Sequence, residues 1–277
     1  MRYLELASGE YVPTLGLGTW KMGSGDSDEA AQLRALQTGI AQGMTLIDTA
    51  EMYGDGRSEE LVAKAIAGQR NKVFLVSKVL PQNSSRKGTV KACEASLKRL
   101  KTGVLDLYLL HWRGSHPLSD TFAAFEELRA AGKIRYYGVS NFDVDDLDEV
   151  EKLAPKAACA ANQVMYNLSD RGIEWDLYPK CRKSKIAVMA YSPLGQGGLG
   201  NNRGLEQIAK KHQVTSAAIA VAFTLRLPGV ISIPKSSHEK RVLENAAAAD
   251  LVLDDDDLAR LDKFFPPPPR KLPLAIT

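Results

Sequence analysis

The chain has few of the residues that are typical of metal sites and disulfide-bonded proteins. Among its 277 residues are only three cysteines and four histidines. Cys93, Cys159 and Cys181 are odd in number and too widely spaced for a metal-binding motif. We interpret them as small buried apolar residues of a protein in a reducing compartment.

Long apolar runs and clusters of one charge sign are also missing. Residues 1–10 lack the apolar segment of a signal peptide, and the longest apolar runs, such as 217–223, are far shorter than a membrane span. The net charge is only +3, and basic residues are interspersed with acidic ones, which argues against a nucleic-acid or lipid surface. We therefore expect a cytoplasmic protein, a monomer, with neither a nucleic-acid nor a membrane partner.

What the sequence does contain is a regular alternation of short apolar runs with helical periodicity. Its composition, 44% hydrophobic and 25% charged, and its length indicate one globular domain over residues 1–277. The alternation predicts an α/β fold of parallel strands and crossover helices, preceded by a hairpin of residues 2–6 and 11–12. Apolar spacing predicts helices at 28–42, 58–67, 86–101, 118–131, 143–153, 175–183, 203–212, 215–226 and 254–264.

Four polar side chains follow apolar runs that stand about one strand-helix unit apart. Asp48, Lys78 and His111 each end such a run, and Tyr53 lies in the loop after the first run. In a closed barrel the carboxyl ends of parallel strands meet at one mouth, where ligands bind. The sequence therefore predicts that these four side chains form one site.

The four side chains suit proton transfer to a carbonyl oxygen. A tyrosine hydroxyl has an ordinary pKa near 10, so Tyr53 needs a neighbouring cation to lower its pKa, and Lys78 can be that cation. Asp48 would offset the desolvation of a buried Lys78. His111 could hydrogen-bond a substrate oxygen and orient it. Because no side chain donates hydride, reduction requires a bound cofactor.

Residues farther along the chain suit the aromatic part of a cofactor. Ser140, Asn141 and Gln163 carry hydroxyl and amide groups that could bind a carboxamide, and Tyr191 offers a flat face to an aromatic ring. Each residue is a weak signal alone. Their common position after apolar runs places them in the far half of the same barrel mouth.

A basic cluster suits the phosphate of the cofactor. Lys235 and Arg241, with Ser236 between them, could clamp a phosphate, and Glu244 and Asn245, one turn farther on, could meet an adenine. Taken singly, these residues would be part of a solvated surface. Their joint spacing carries the prediction.

Residues 195–200 formally match G-x-G-x-x-G, the fingerprint of Rossmann dinucleotide-binding domains. The match comes late in the chain, no acidic residue follows about 20 positions on, and no Tyr-x-x-x-Lys pair occurs in the sequence. We therefore reject a Rossmann domain. We interpret the segment as a flexible loop that covers a diphosphate.

Three segments resemble the signatures of aldo-keto reductases. Residues 48–54, 138–142 and 233–245 fit these signatures, and the likeness extends over essentially the whole chain. The resemblance implies an (α/β)8 TIM barrel with an N-terminal β-hairpin at the bottom and a short C-terminal tail. It also implies NADPH as the cofactor.

The same resemblance assigns roles to residues. Tyr53 would be the general acid, Lys78 and Asp48 would tune it, and His111 would orient the carbonyl. The implied function is NADPH-dependent reduction of aldehydes and ketones to alcohols. The implied cofactor contacts are Gly18, Thr19, Trp20, Ser140, Asn141, Gln163, Tyr191, Ser192, Leu194, Lys235, Ser236, Arg241, Glu244 and Asn245.

The substrate is expected to be a small carbonyl compound. Residues 109–112 resemble bacterial family members that reduce methylglyoxal and other small aldehydes. The connection 111–118 and the tail beyond Phe265 are short, so we expect an open, weakly selective mouth. Its apolar walls would be Trp20, Met52 and Trp112.

Two other classes of function are alternatives. An NADPH-binding redox-sensing or regulatory subunit would keep the barrel and show little turnover. A metal-dependent barrel hydrolase is disfavoured, because the sequence has no His-x-His pair and no carboxylate-rich set of strand ends. No metal ligand is predicted.

Overall fold

The computed structural model describes residues 1–24, 28–155, 158–197, 199 and 202–276. The chain opens with an antiparallel hairpin of β1 (Tyr3–Glu5) and β2 (Tyr11–Pro13). A parallel sheet follows, in which each strand pairs with the next one along the chain. Its strands are β3 (Leu17–Gly18), β4 (Leu46–Asp48), β5 (Phe74–Val79), β6 (Leu105–Leu110), β7 (Ile134–Ser140), β8 (Cys159–Met165), β9 (Ala187–Tyr191) and β10 (Val230–Ser232).

Hydrogen bonds next to the first and last strands close this sheet into a barrel. Gly16 N donates to Ser232 O at 2.8 Å, and Ser232 N donates to Thr14 O at 2.8 Å. A further parallel bridge pairs Gly18 with Lys235. The predicted (α/β)8 barrel is therefore confirmed.

Most of the helices are crossovers between successive strands. Several begin with the capping residues that helix starts favour: the side chain of Asp28 accepts from Ala31 N, and Asp143 forms a capping box with Asp146. None of the helices in the described part of the chain combines the length and apolarity that crossing a bilayer needs. The helices are α1 (Glu29–Ala41), α2 (Arg57–Ala65), α3 (Arg86–Leu100), α4 (Leu118–Ala130), α5 (Val144–Leu153), α6 (Leu177–Lys183), α7 (Arg203–His212), α8 (Ser216–Leu225), α9 (Glu239–Ala246) and α10 (Asp255–Phe264).

The hydrophobic core has two layers because side chains of a strand alternate between its two faces. In β5, Phe74 and Val76 belong to the cluster inside the barrel, whereas Leu75 belongs to the larger cluster between the strands and the helices. The inner cluster fills the barrel, so it is a packed core and not a channel. Its other members include Leu46, Leu107, Leu109, Met189 and Ile231.

The hairpin covers the bottom of the barrel. Leu6 and Val12 pack into the inner cluster. Glu10, in the turn of the hairpin, accepts a hydrogen bond from Arg135 Nη1 at 2.9 Å and one from Tyr136 Oη at 2.8 Å, at the start of β7. Within the described residues the hairpin thus covers the amino ends of the strands, and the carboxyl ends form the open side of the barrel.

The chain after α10 runs as an extended tail back to the open end. Lys271 forms ion pairs with Asp143 at 3.2 Å and Asp176 at 2.9 Å, beside the starts of α5 and α6. Leu274 packs against the outer core. The tail is therefore attached to the barrel by both charge and apolar contact.

Asp106 is an acidic residue at the bottom of the barrel that contacts three partners. Its side chain is almost fully buried in β6. One carboxylate oxygen accepts from Leu75 N at 2.8 Å and forms an ion pair with Arg70 Nη2 at 2.8 Å, and the other accepts from Arg135 Nη1 at 2.8 Å. It joins β5, β6 and β7 where the strands begin.

We predict that Asp106→Ala lowers the free energy of unfolding by about 2–4 kcal/mol, because it leaves the N–H of Leu75 without its acceptor and removes the ion-pair partner that Arg70 and Arg135 share. Urea denaturation measures this loss. Asp148→Ala is the control, since Asp148 pairs with Lys180 at the surface and such pairs contribute little. Equal midpoints for the two variants would contradict the prediction.

Candidate active site

The four predicted side chains meet at the open end of the barrel. Lys78 Nζ donates to Asp48 Oδ2 at 2.9 Å, to Thr49 O at 2.9 Å and to Tyr53 Oη at 3.0 Å. All three ammonium hydrogens of Lys78 therefore have acceptors, although its side chain is 0% exposed. The ring of His111 packs edge-on against that of Tyr53, with 5.8 Å between centroids.

The strand register explains why these residues meet. Asp48 pairs with Val76, so Lys78, two residues farther along β5, lies on the same face and just beyond the end of β4. The loop after Asp48 then returns Tyr53 over Lys78. It can do so because Gly54 lies in the left-handed region, with φ of 58°, a conformation that glycine adopts without steric cost.

Burial determines which of these groups carry protons. It raises the pKa of Tyr53 above its ordinary 10, and this outweighs the lowering by the Lys78 ammonium. The expectation that Lys78 lowers the net pKa of Tyr53 is therefore wrong. Burial alone would lower the pKa of Lys78, but Asp48 and Tyr53 raise it overall. At neutral pH Tyr53 keeps its proton and Lys78 its charge.

His111 is a neutral side chain in this site. Burial, and then the charge of Lys78, lower its pKa to about 2. Its Nδ1 atom is buried and makes no hydrogen bond within the described residues. A neutral imidazole has one N–H donor and one acceptor. His111 can therefore donate to a ligand oxygen without adding a second cation beside Lys78.

Asp48, Tyr53, Lys78 and His111, together called the tetrad below, adjoin a cavity of about 620 Å³, a volume in the range of small-molecule and cofactor sites. Asp48, Tyr53 and His111 line it, and Lys78 lies behind them. The three predicted apolar walls, Trp20, Met52 and Trp112, all line it. A fourth wall, Ile276, comes from the C-terminal tail. No sequence pattern pointed to Ile276, because its position depends on the path of an irregular segment.

The residues proposed for the carboxamide form one hydrogen-bond network with the tetrad. Ser140 Oγ donates to Gln163 O at 2.9 Å, and Tyr191 Oη donates to Asn141 Oδ1 at 2.9 Å. Gln163 Nε2 donates to the second carboxylate oxygen of Asp48 at 2.7 Å. Since β7, β8 and β9 are neighbours, their carboxyl ends bring these groups together.

The predicted phosphate cluster lies at the other end of the cavity. Lys235 follows β10, and Arg241 lies in the first turns of α9; both line the cavity. Burial, and then the charges of Lys21 and Arg241, lower the pKa of Lys235. Neither Lys235 nor Arg241 forms an ion pair within the described residues. This uncompensated positive charge fits an anion such as a phosphate.

The other predicted cofactor residues divide into two groups. Most of them line the cavity: Gly18, Ser192, Leu194, Ser236, Glu244 and Asn245. Gly18 allows a close approach of two chains, since an added Cβ would lie 2.7 Å from Ile233 O. Thr19 is buried and does not line the cavity; its hydroxyl donates to Asp48 O at 2.9 Å.

Sequence reasoning missed several cavity residues. Lys21 could have been found, because it follows Gly18 and Trp20 at the end of β3. Ser216 and Ala217 open α8, where no functional pattern occurs. In the loop 195–200, Gln196 and Leu199 line the cavity, but Gly198 and Gly200 lie outside the described residues, so its predicted diphosphate-covering role stays a prediction.

The sequence of this chain matches a known protein family over most of its length. The model of the Aldo/keto reductase family matches residues 14–265. The chain belongs to the aldo/keto reductase family. It is therefore an oxidoreductase that acts on carbonyl compounds, as the sequence signatures implied.

Individual aldo-keto reductases resemble this chain over nearly its full length. Methylglyoxal reductase YeaE of Escherichia coli (strain K12) is 45% identical over 278 residues, covering 99% of this chain and 98% of the relative. Glyoxal reductase of Bacillus subtilis (strain 168) is 37% identical over 259 residues, covering 94% and 91%. The crystal structure of an aldo-keto reductase from Klebsiella pneumoniae in complex with NADPH has a TM-score of 0.96 and 45% identity, covering 100% of this chain and 99% of that one.

The low pKa of His111 predicts a loss of stability in mild acid. Unfolded His111 takes up a proton near pH 6.5, whereas the folded side chain stays neutral down to about 2. The unfolded state then binds more protons, so stability falls as pH falls below 6.5. We expect a loss of at most about 1.4 kcal/mol per pH unit in urea denaturation between pH 6.5 and 4.5.

His111→Gln is the matched control for this effect, because glutamine is polar but does not titrate. The variant should lose less stability over the same interval than the wild-type protein. Equal pH slopes for both proteins would show that His111 does not remain neutral in the folded state.

Proposed function

We propose that this aldo-keto reductase reduces small aldehydes, with methylglyoxal among them, and that Tyr53 supplies the proton. The observation that carries the proposal is the chain from Asp48 through a fully charged Lys78 to a protonated Tyr53. It lies beside a neutral His111 in a cavity with apolar walls. The names of the methylglyoxal and glyoxal reductases to which the chain is similar support the choice of substrate.

The cofactor is NADPH, which supplies hydride to the carbonyl carbon when it is bound. The donor set around the cavity fits it, since amide and hydroxyl groups lie at one end and uncompensated cations at the other. We assign the nicotinamide end to Ser140, Asn141, Gln163 and Tyr191, the 2′-phosphate to Lys235, Ser236 and Arg241, the adenine to Glu244 and Asn245, and further contacts to Gly18, Trp20, Lys21, Ser192 and Leu194.

The tetrad performs the proton transfer. His111 donates a hydrogen bond to the carbonyl oxygen and orients it, and Tyr53 donates its hydroxyl proton to the same oxygen. Lys78, at 3.0 Å from Tyr53 Oη, stabilises the phenolate that remains, and Asp48 keeps Lys78 charged. A preorganised donor of this kind contributes about 3 kcal/mol to transition-state stabilisation.

The walls of the cavity favour an uncharged substrate. Trp20, Met52, Trp112 and Ile276 are apolar or aromatic, so a carboxylate or a polyol held among them would lose hydration without gaining partners. A short aldehyde exposes little polar surface besides the carbonyl group that His111 and Tyr53 bind. We therefore propose short uncharged aldehydes and ketones as the substrate class.

We also propose that the chain acts as a single-domain monomer in the cytoplasm, without a nucleic-acid or membrane partner. Cys93, Cys159 and Cys181 are free and buried, which suits a reducing compartment.

Tyr53→Phe should lower kcat/KM for methylglyoxal by about 10²–10⁴-fold, the usual contribution of a general acid. NADPH binding should stay within about twofold, since the phenol is not among the assigned cofactor contacts. Stopped-flow NADPH oxidation and fluorescence titration measure the two quantities. Retained turnover would remove Tyr53 from its role, and tight NADPH binding with negligible wild-type turnover would favour the redox-sensing or regulatory alternative.

Arg241→Ala should weaken NADPH binding about 10–100-fold and leave NADH binding nearly unchanged, because a charged hydrogen bond to the 2′-phosphate contributes about 1.5–3 kcal/mol. Fluorescence titration with both dinucleotides measures the ratio. Lys240→Ala is the control, since Lys240 is an exposed neighbouring cation outside the cavity. Equal losses for NADPH and NADH would show that Arg241 does not read the phosphate.

A further inference from the structure

The loop that carries Tyr53 is attached to β5 at both of its ends, since Thr49 N donates to Val76 O at 3.0 Å and Tyr53 Oη accepts from Lys78 Nζ at 3.0 Å. Lys78 Nζ holds Thr49 O at 2.9 Å, and within the loop Tyr53 N donates to Ala50 O at 3.0 Å. Met52 is exposed, and Gly54 has a left-handed backbone. A further attachment between Thr49 and Tyr53 would therefore restrict how far the Tyr53 hydroxyl can move from Lys78.

Glu51 lies two residues before Tyr53 and reaches away from the cavity. Its Oε1 atom accepts hydrogen bonds from Leu80 N at 2.7 Å and from Asn83 Nδ2 at 3.0 Å. Its backbone N–H approaches Lys78 O at 3.5 Å. Glu51 thus connects the loop of Tyr53 to the chain just after Lys78, and it is half-buried and outside the cavity lining.

We propose that Glu51 is a positioning residue for the reaction, which holds the Tyr53 hydroxyl within hydrogen-bond distance of the Lys78 ammonium. A hydrogen bond from a backbone N–H to a carboxylate is stronger than one between neutral groups. One bond of this kind from Leu80 N and a second bond from the side-chain amide of Asn83 reach the same oxygen of Glu51, and together they fix the loop two residues before the reacting hydroxyl. This inference rests on the proposed role of Tyr53 as proton donor.

Geometry, and not charge, is the contribution of Glu51. The groups that act on the pKa of Tyr53 are Lys78 and Asp48, and Glu51 is not among them. Glutamine keeps an oxygen that can accept from Leu80 N and Asn83 Nδ2, whereas alanine keeps none. Since a misplacement of about 1 Å near a reacting group can cost about 100-fold in rate, the two substitutions should differ greatly.

The test compares E51A, E51Q and E60A by stopped-flow reduction of methylglyoxal with saturating NADPH. Glu60 is an exposed acid in the first turn of α2 and lies outside the cavity, so E60A controls for the loss of a nearby negative charge. We expect E51A to lower kcat by about 10–100-fold with NADPH affinity unchanged. E51Q and E60A should stay within about threefold of the wild-type value.

The pH profile separates positioning from a merely structural role. If Tyr53 moves away from Lys78, the lowering effect of the ammonium on its pKa weakens, so the alkaline limb of kcat should shift to higher pH in E51A but not in E51Q. A kcat of E51A within threefold of wild type would overturn the proposal. An equal loss of kcat in E51Q would also overturn it. So would a loss of kcat in E51A that is fully explained by a lower fraction of folded protein.

Crystal structures of E51A and E51Q test the proposal without turnover. E51A should lengthen the distance from Tyr53 Oη to Lys78 Nζ beyond the 3.0 Å of the native protein, and E51Q should retain it. An unchanged distance in E51A would overturn the role of Glu51. If the wild-type protein reduced no aldehyde, the proposed function would fail, but this distance would still decide the inference.

Discussion

A fully buried ammonium group is the constraint on which the active end of this barrel depends. Removing an unpaired charge from water costs several kcal/mol, so Lys78 stays charged only because three acceptors surround it. Two of these acceptors belong to Asp48 and the residue after it, and the third is the hydroxyl of Tyr53. The need to satisfy Lys78 therefore holds β4, β5 and the following loop in one arrangement, and the same arrangement is what proton transfer requires.

The constraint extends from Lys78 into the cofactor half of the site. Asp48 uses one carboxylate oxygen for Lys78 and the other for Gln163, so both of its oxygens have partners in a site where an unpaired one would be costly. Gln163 in turn aligns with Ser140 across β7 and β8. A ligand that contacts the side-chain amides of Asn141, just after β7, and Gln163, in β8, is thereby in contact with the network that holds the proton donor.

Much of the fold and of the tetrad could be predicted from the sequence. The fold follows from the spacing of apolar residues, and the tetrad follows from the position of polar residues at or just after the ends of apolar runs. Helical spacing located nine helices within a few residues, and apolar runs ending in Asp48, Lys78 and His111 marked the mouth. Helix α9 was not among the predicted helices, because the charged residues of its segment were interpreted as a phosphate-binding cluster. The direction of the Tyr53 pKa was also missed, because a sequence shows which cation is near but not how completely the phenol is buried.

Some site residues could not be predicted because their places depend on distant packing. Thr19 follows the pattern of a cofactor residue, yet its hydroxyl turns inward to the Asp48 carbonyl. Ile276 reaches the cavity only because Lys271 and Leu274 attach the tail along its route. Neither outcome has a local sequence signal, since each depends on partners far away in the chain.

The two termini of this barrel are chemically unequal. The amino-terminal hairpin sits on the sealed side, while the last described residues run past the entrance that ligands use. A bulky group attached to the tail near Ile276 would lie beside that entrance and would compete with ligands for space. The face covered by the hairpin is consequently the side on which this enzyme can be immobilised without obstructing its ligands.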